Sequence, residues 1–262
     1  FLGLRARRIG RHGGATPRGK LEAHAERVRI MAAYYSKVRP DLVLSFSSPE
    51  AARTAFGLVI PHVSVNDSPH ASAVARLTIP LSSVLLTPWI IASGEWTRYG
   101  IGGRGIIKYR ALDPASWLRG FRPSREILHA LDLDQARPIV TIRPQEHLAA
   151  YLRGERADPS EEIARAMAKL LTARPDIQVV VVSRYGNASR YRGIFGRTAK
   201  VTEGVIDGKS LIGLSALFIG AGGTMTAEAA LQGVPTISIY PKSTVVEDYL
   251  VRNGLVVKAK RN

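Results

Sequence analysis

The sequence predicts an α/β fold built as two successive parallel-sheet domains, and three observations predict it. Short β-branched runs alternate with longer amphipathic stretches along the chain, the pattern of strand–helix–strand units. The alternation is interrupted at Ala111–Pro123, where Pro114, Trp117, Gly120 and Pro123 cluster. The 262 residues also suit one large domain or two small ones, because single cores rarely grow past about 250 residues. The limits that follow are a first domain over 1–110, an irregular linker over 111–123 and a second domain over 124–262.

In the first domain, Glu22–Lys37 reads as a helix with Ala25, Val28, Ala32 and Tyr35 on one face. Pro40-Asp41 ends it, and Leu42–Phe46 follows as a buried strand. Ser48 as N-cap and Pro49 in the first turn open a helix that runs to Phe56. Pro61–Val65, Val84–Thr87 and Ile106–Tyr109 read as strands, with the polar loop Asn66-Asp67-Ser68-Pro69-His70 after the first of them. In the second domain, the strands are Ile139–Arg143, Ile177–Ser183, Ala199–Thr202, Ala216–Ile219 and Thr236–Tyr240. The helices are Ser160–Thr172, Ser210–Leu214 and Thr224–Gln232.

Composition narrows the chemistry. The absence of cysteine excludes disulfide scaffolds, thiolate zinc sites, cysteine nucleophiles and iron–sulfur ligation. The six histidines (12, 24, 62, 70, 129 and 147) show no ligand spacing, so neither a metal nor a cofactor is expected. The uncharged stretches Leu77–Gly94 and Ser210–Ala227 are interrupted by Pro80 and Pro88, and by four glycines, and neither reads as a membrane span. A cytoplasmic protein is expected.

Lys and Arg total 37 against 21 Asp and Glu, a net charge of +16. Residues 1–40 carry ten basic and two acidic side chains, which is half of that excess. Arg presents a planar fork suited to phosphate or carboxylate, and the first domain is therefore expected to meet an anionic ligand or the surface of an anionic membrane. A coding bias toward Arg explains the same excess without a ligand. Arg5, Arg7, Arg8, Arg11, His12, Gly13 and Gly14 form a basic loop that reads equally as a solvated surface. No recognition helix or aromatic-interleaved basic strand accompanies the charge, which argues against nucleic acid.

The most informative segment is Ala216–Tyr240. A buried strand runs into Gly220, Gly222 and Gly223, and a helix begins at once. Glycines admit a ligand close to the backbone, and the first helical amides attract phosphate oxygens. Thr224 and Thr226 add hydroxyls there, and Glu228 lies where a carboxylate can accept hydrogen bonds from ribose hydroxyls. Gly233 caps the helix and Pro235 leads into the next strand. Many α/β proteins carry a strand–Gly turn–helix for structural reasons alone. Gly208-Lys209-Ser210 is no P-loop, because Glu203 occupies the position of its first glycine.

The whole string resembles the donor-nucleotide segment of the GT-B superfamily, in which Gly-Gly, an acidic helix residue and a Gly-x-Pro exit recur. That superfamily includes the UDP-N-acetylglucosamine transferase of peptidoglycan synthesis and the UDP-N-acetylglucosamine 2-epimerases. The chain is most similar to an uncharacterised, largely archaeal family with that fold, through Asn66–His70, Thr141-Ile142-Arg143-Pro144 and Gly222–Pro235. The resemblance implies two Rossmann-like domains facing a cleft, with a UDP-sugar donor held by the second.

It also separates reactions. The epimerases resemble the chain at Pro40–Leu44, Pro61–Val65 and Thr141–Glu146, and their acid/base chemistry needs an Asp, a Glu and a His-Arg pair after these strands. Here Ser47-Ser48, Asn66 and Arg143-Pro144 stand in those places, and only Glu146 is retained. Transfer needs less: a base for the acceptor hydroxyl and donors that neutralise the leaving diphosphate. The candidate bases are Asp67 and His70, although Asp67 also reads as a turn cap and His70 as a surface residue. The candidate nucleotide-binding residues are Gly222, Gly223, Thr224, Thr226 and Glu228, with Arg143 and Arg184 at strand ends, where a solvated Arg is equally ordinary. The expected function is transfer of a sugar from a UDP-linked donor to an anionic or lipid-linked acceptor. An epimerase or hydrolase of sugar nucleotides, and a non-catalytic nucleotide-sugar-binding protein, remain as alternatives.

GT-B chains normally begin with a strand and a Gly-containing loop and end in long helices that lock the domains. This chain opens on Phe1-Leu2-Gly3-Leu4, which resembles the lead-in to a later strand, and stops at Asn262. A fragment is therefore expected, lacking the first β–α unit and a last helix.

Overall fold

The computed structural model describes residues 6–14, 16–145, 159–183 and 187–259. Arg5 and the opening Phe1–Leu4, Glu146 and Arg184 lie outside the described residues. The chain divides into two compact units, Phe1–Arg110 and Ala111–Asn262.

Unit 1 begins with α1 (Pro17–Val38), whose Thr16 cap accepts a hydrogen bond from the Gly19 amide. Then come β1 (Val43–Phe46), α2 (Pro49–Gly57), β2 (His62–Val65), α3 (Ser72–Thr78), β3 (Val84–Pro88), α4 (Gly94–Thr97) and β4 (Ile106–Tyr109). The strands form one parallel sheet in the order β1-β2-β3-β4. Parallel crossovers are right-handed, so a sheet that adds every strand in one direction puts its crossover helices on one face. The burial agrees. In register, Val43, His62, Ser64, Leu85 and Thr87 share a buried face. The opposite face carries Leu44, Phe46 and Ile107, which are 64%, 59% and 52% exposed. The expectation of a buried strand over Leu42–Phe46 is thus corrected: among the described residues β1 is an edge strand, and of its residues only Val43 is buried.

The concentrated N-terminal charge is in part internally satisfied. Arg27 donates to Glu50 of α2 through Nε at 2.8 Å and through Nη2, and donates Nη1 to the Arg11 carbonyl at 2.8 Å. Arg18 pairs with Glu22 at 2.7 Å, Arg11 approaches Glu26 at 3.5 Å, and the Arg7 guanidinium lies 5.1 Å over the Tyr34 ring.

Unit 2 opens with α5 (Pro114–Leu118) and α6 (Glu126–Ala130), so the stretch 111–123 is not irregular throughout: Pro114 sits in the first turn of a short helix that packs on α10. The unit continues with β5 (Ile139–Arg143), α7 (Ser160–Ala173), β6 (Gln178–Val182), α8 (Ala188–Phe195), β7 (Ala199–Thr202), α9 (Gly208–Gly213), β8 (Leu217–Gly220), α10 (Thr224–Leu231), β9 (Thr236–Ser238), α11 (Val245–Arg252) and β10 (Val257–Lys258). The order β10-β9-β8-β5-β6-β7 is parallel throughout. The chain winds from β5 to β7 in one direction and from β8 to β10 in the other, so both faces are covered. Val140, Ile142, Val179 and Val181 pack with Met167, Leu171, Tyr191 and Phe195, whereas Ile139, Val180 and Val182 pack with Ile127, Leu128 and Leu211 on the other side.

Candidate functional site

The winding of unit 2 reverses between β5 and β8, and ligands of open α/β sheets bind at the carboxyl ends of strands where the order reverses. Of the residues read from the sequence, Arg143, Gly222, Gly223, Thr224 and Thr226 lie at that edge. Arg143 ends β5 opposite Gly220, which ends β8, and the Ala221 amide donates to the Arg143 carbonyl at 3.1 Å. Arg143 Nη1 donates to the Val182 carbonyl at 2.8 Å, so the guanidinium is braced on the end of β6.

The turn after β8 needs glycine for distinct reasons. Gly222 and Gly223 have φ of +77° and +78°, in the left-handed region that side chains disfavour. A Cβ on Gly222 would fall 2.9 Å from Tyr240 Cγ, and one on Gly220 would fall 2.6 Å from Thr226 Oγ1. Gly223 is the N-cap of α10, and no side chain caps the helix. The first amides of α10, from Thr224 onward, are thus presented without a protein cap, a geometry that accepts phosphate oxygens. Thr224 is exposed at this start, whereas Thr226 is buried behind it.

Three buried polar side-chain atoms lie at the same edge of the sheet: Gln145 Oε1 beyond β5, Ser183 Oγ beyond β6 and Thr226 Oγ1 beyond β8. None has a hydrogen-bond partner among the described residues. Such groups in a native fold call for an explanation, and a bound polar ligand is one.

Glu228 sits one turn into α10 and is buried. Its Oε1 accepts a hydrogen bond from Trp117 Nε1 at 2.8 Å. Burial pushes the Glu228 carboxyl above its ordinary range, opposed by the Trp117 bond and by the charge of Lys209. Trp117 comes from α5. The next turn of chain is fixed to α9, where the Ser124 amide donates to Ser210 Oγ at 2.9 Å and Lys209 Nζ lies 4.9 Å from the Phe121 ring. Sequence reasoning missed Trp117, whose partner is 111 residues away; the only local signal is a tryptophan in a stretch otherwise rich in turn formers.

In unit 1 the loop after β2 places the other candidates. Asp67 Oδ1 accepts from Ser68 Oγ at 2.7 Å, and Asn66 Oδ1 accepts from the Ser68 amide at 2.8 Å. His70 lines a surface cavity with Arg76 and Arg98. Ser48, at one of the positions where the epimerases need an acid or base, caps α2 by accepting from the Ala51 amide at 3.2 Å. Ser47 donates to the Val65 carbonyl at 2.9 Å. Among the described residues, no three His, Asp or Glu side chains stand close enough to hold a metal ion, and no helix is long and apolar enough to cross a membrane.

A family model described as a protein of unknown function, DUF354, matches residues 1–261. The chain belongs to the DUF354 family. An uncharacterised relative, MJ0665 of Methanocaldococcus jannaschii, is 34% identical over 256 residues, 95% of this chain and 72% of the relative. The DUF354 chain shares the GT-B fold of solved sugar-nucleotide enzymes. UDP-GlcNAc 2-epimerase from Neisseria meningitidis, bound to UDP-GlcNAc, superposes with a TM-score of 0.71 at 15% identity, over 90% of this chain and 69% of that one. Anabaena Alr3699/HepE, in complex with UDP-glucose, gives 0.54 at 14% identity, over 89% and 67%. The chain thus spans about two thirds of the length of the solved structures it matches.

Proposed function

We propose that the protein binds a UDP-sugar at the carboxyl edge of the unit 2 sheet and transfers the sugar to an anionic or lipid-linked acceptor. The observation that carries this reading is the uncapped Gly222-Gly223 helix start at the reversal between β5 and β8, with Glu228 one turn further along α10. The amides of α10 take the diphosphate, Arg143 and Arg184 add positive charge, and Glu228 receives the ribose hydroxyls. In the transfer, the bond from the anomeric carbon to the diphosphate oxygen breaks and the acceptor oxygen bonds to that carbon. The acceptor proton passes to His70 or Asp67, and UDP leaves with the electron pair, its charge met by groups already oriented.

Epimerisation or hydrolysis of the sugar nucleotide is the second reading, favoured by the larger TM-score of the epimerase, 0.71 against 0.54. Against it, Ser48 and Asn66 stand where acid/base groups are needed and are engaged in capping a helix and a turn. Neither side chain removes a proton from carbon. A non-catalytic nucleotide-sugar-binding protein is the third.

A thermal-shift panel of UDP, GDP, CMP and their sugars tests the reading. Stabilisation by UDP and UDP-sugars that disappears in Glu228→Ala supports it. No shift with any nucleotide overturns it, together with both alternatives. Product analysis with a phosphorylated lipid acceptor then separates transfer from epimerisation and from binding without turnover.

A further inference from the structure

Unit 1 holds a cavity of about 580 Å³ lined by His70, Ser72, Arg76, Arg98, Tyr99 and Gly100. That volume lies within the range of about 300–1,000 Å³ typical of small-molecule sites. The wall is built rather than incidental. Tyr99 Oη donates to the Pro69 carbonyl at 2.7 Å, and Arg98 Nη2 donates to the same oxygen at 3.3 Å. These bonds tie the β2 loop to the chain beyond α4. The Ser72 amide donates to the His70 carbonyl at 2.9 Å, which fixes the backbone on the other side of His70. The Arg98 guanidinium stacks 5.0 Å from the Tyr99 ring centre, which orients its fork.

The charge of this cavity is unbalanced. Arg76 forms no ion pair among the described residues. Arg98 pairs with Glu95 at 2.9 Å. Arg76, Arg98, Ser72 and His70 therefore line one space whose lining holds no carboxylate, with Glu95 paired to Arg98 beside it. A tetrahedral dianion suits this lining better than a carboxylate does, because it offers acceptor oxygens to both guanidiniums at once, to Arg98 through the N–H groups that its Pro69 and Glu95 bonds leave.

We propose that this cavity binds a phosphomonoester group, carried by the acceptor. The binding stands on the cavity alone; only the word acceptor rests on the transferase reading. The chemistry is shared by a soluble sugar phosphate and by a phosphomonoester lipid headgroup.

Titration calorimetry of the intact chain with inorganic phosphate and glucose 1-phosphate tests the site, beside co-sedimentation with phosphatidylcholine vesicles with and without phosphatidate. Saturable binding of both soluble phosphates is expected. Arg76→Gln, which breaks no ion pair or hydrogen bond among the described residues, weakens it about tenfold or more, the size of one lost charge-assisted hydrogen bond. Arg98→Lys keeps the charge, loses the fork and weakens binding severalfold, with an unchanged circular-dichroism melt showing that unit 1 remains folded. A lipid source adds phosphatidate-dependent sedimentation that Arg76→Gln also abolishes. The inference is overturned by absence of saturable phosphate binding, by equal affinity in Arg76→Gln, or by vesicle binding that ignores that substitution. The two readings fail separately. UDP stabilisation without phosphate binding removes this site alone, and phosphate binding without any nucleotide shift leaves the site and removes the transferase.

Discussion

Trp117 Nε1 donates a 2.8 Å hydrogen bond to Glu228 Oε1, joining the first helix of unit 2 to the helix that follows its glycine turn. The bond holds a buried carboxylate in one orientation beside an uncapped helix start. Trp117→Phe keeps most of the ring and removes the donor. It is expected to cost about 1–3 kcal/mol of stability, as a buried acceptor loses its partner, and to weaken UDP binding. Urea unfolding and calorimetry read the two effects.

The raised Glu228 carboxyl gives a pH dependence with a definite sign. The folded protein holds this proton to higher pH than the unfolded chain does, so the group's contribution is fully present below its ordinary value of 4.5 and is lost as pH rises through the folded value. Glu228→Gln removes that titration. Its stability relative to wild type should therefore rise as pH is taken from 4 to 7 (about the unfolded range upward), measured by urea midpoints across the series. A constant difference contradicts the assignment.

Gly222 and Gly223 share a positive φ but differ in surroundings. Gly223→Ala meets nothing within 4 Å and is expected to cost about 1 kcal/mol for backbone strain alone. Gly222→Ala also drives a methyl against the Tyr240 ring and is expected to cost about 2–4 kcal/mol. Thermal melts of the two variants check the order.

Glu50 joins α1 to α2. Burial alone would raise its carboxyl, but the Arg27 hydrogen bonds, the backbone at its own position and the Arg27 and His24 charges hold it below its ordinary range. Its contribution is present above 4.5, the ordinary value, and is lost as pH falls through the folded value. Arg27→Met is expected to cost about 1–3 kcal/mol at neutral pH, less than the ~3–5 of a fully buried pair. The deficit should shrink as the medium is acidified, read from urea midpoints at pH 7 and at about pH 3.

The legible part of the fold was the part written in short apolar runs with clear ends. Ile106–Tyr109, Ile139–Arg143 and Ala199–Thr202 are strands to the residue, because β-branched side chains are bounded by prolines, glycines or charge. Ala188–Phe195 and Val245–Arg252 are helices without a clear signal in the sequence, the second because Val245, Val246 and Val251 give it a strand-like composition. The two faces of β1 are both apolar, so periodicity does not show that Leu44 and Phe46 lie uncovered while Val43 is buried. At the candidate site, the glycine turn, Glu228 and Arg143 are legible locally. Trp117 and the Arg76–Arg98 cavity are not, because each is assembled by segments far apart or by side chains without a motif.

Whether the α10 helix start and Glu228 form one nucleotide site is decided by calorimetric titration of UDP into wild type, Glu228→Ala and Gly222→Ala. One saturable site is expected in wild type, weakened about tenfold or more in Glu228→Ala through loss of charge-assisted hydrogen bonds, and weakened also in Gly222→Ala. Absence of UDP binding to the wild-type chain, or equal affinity in all three proteins, would contradict it.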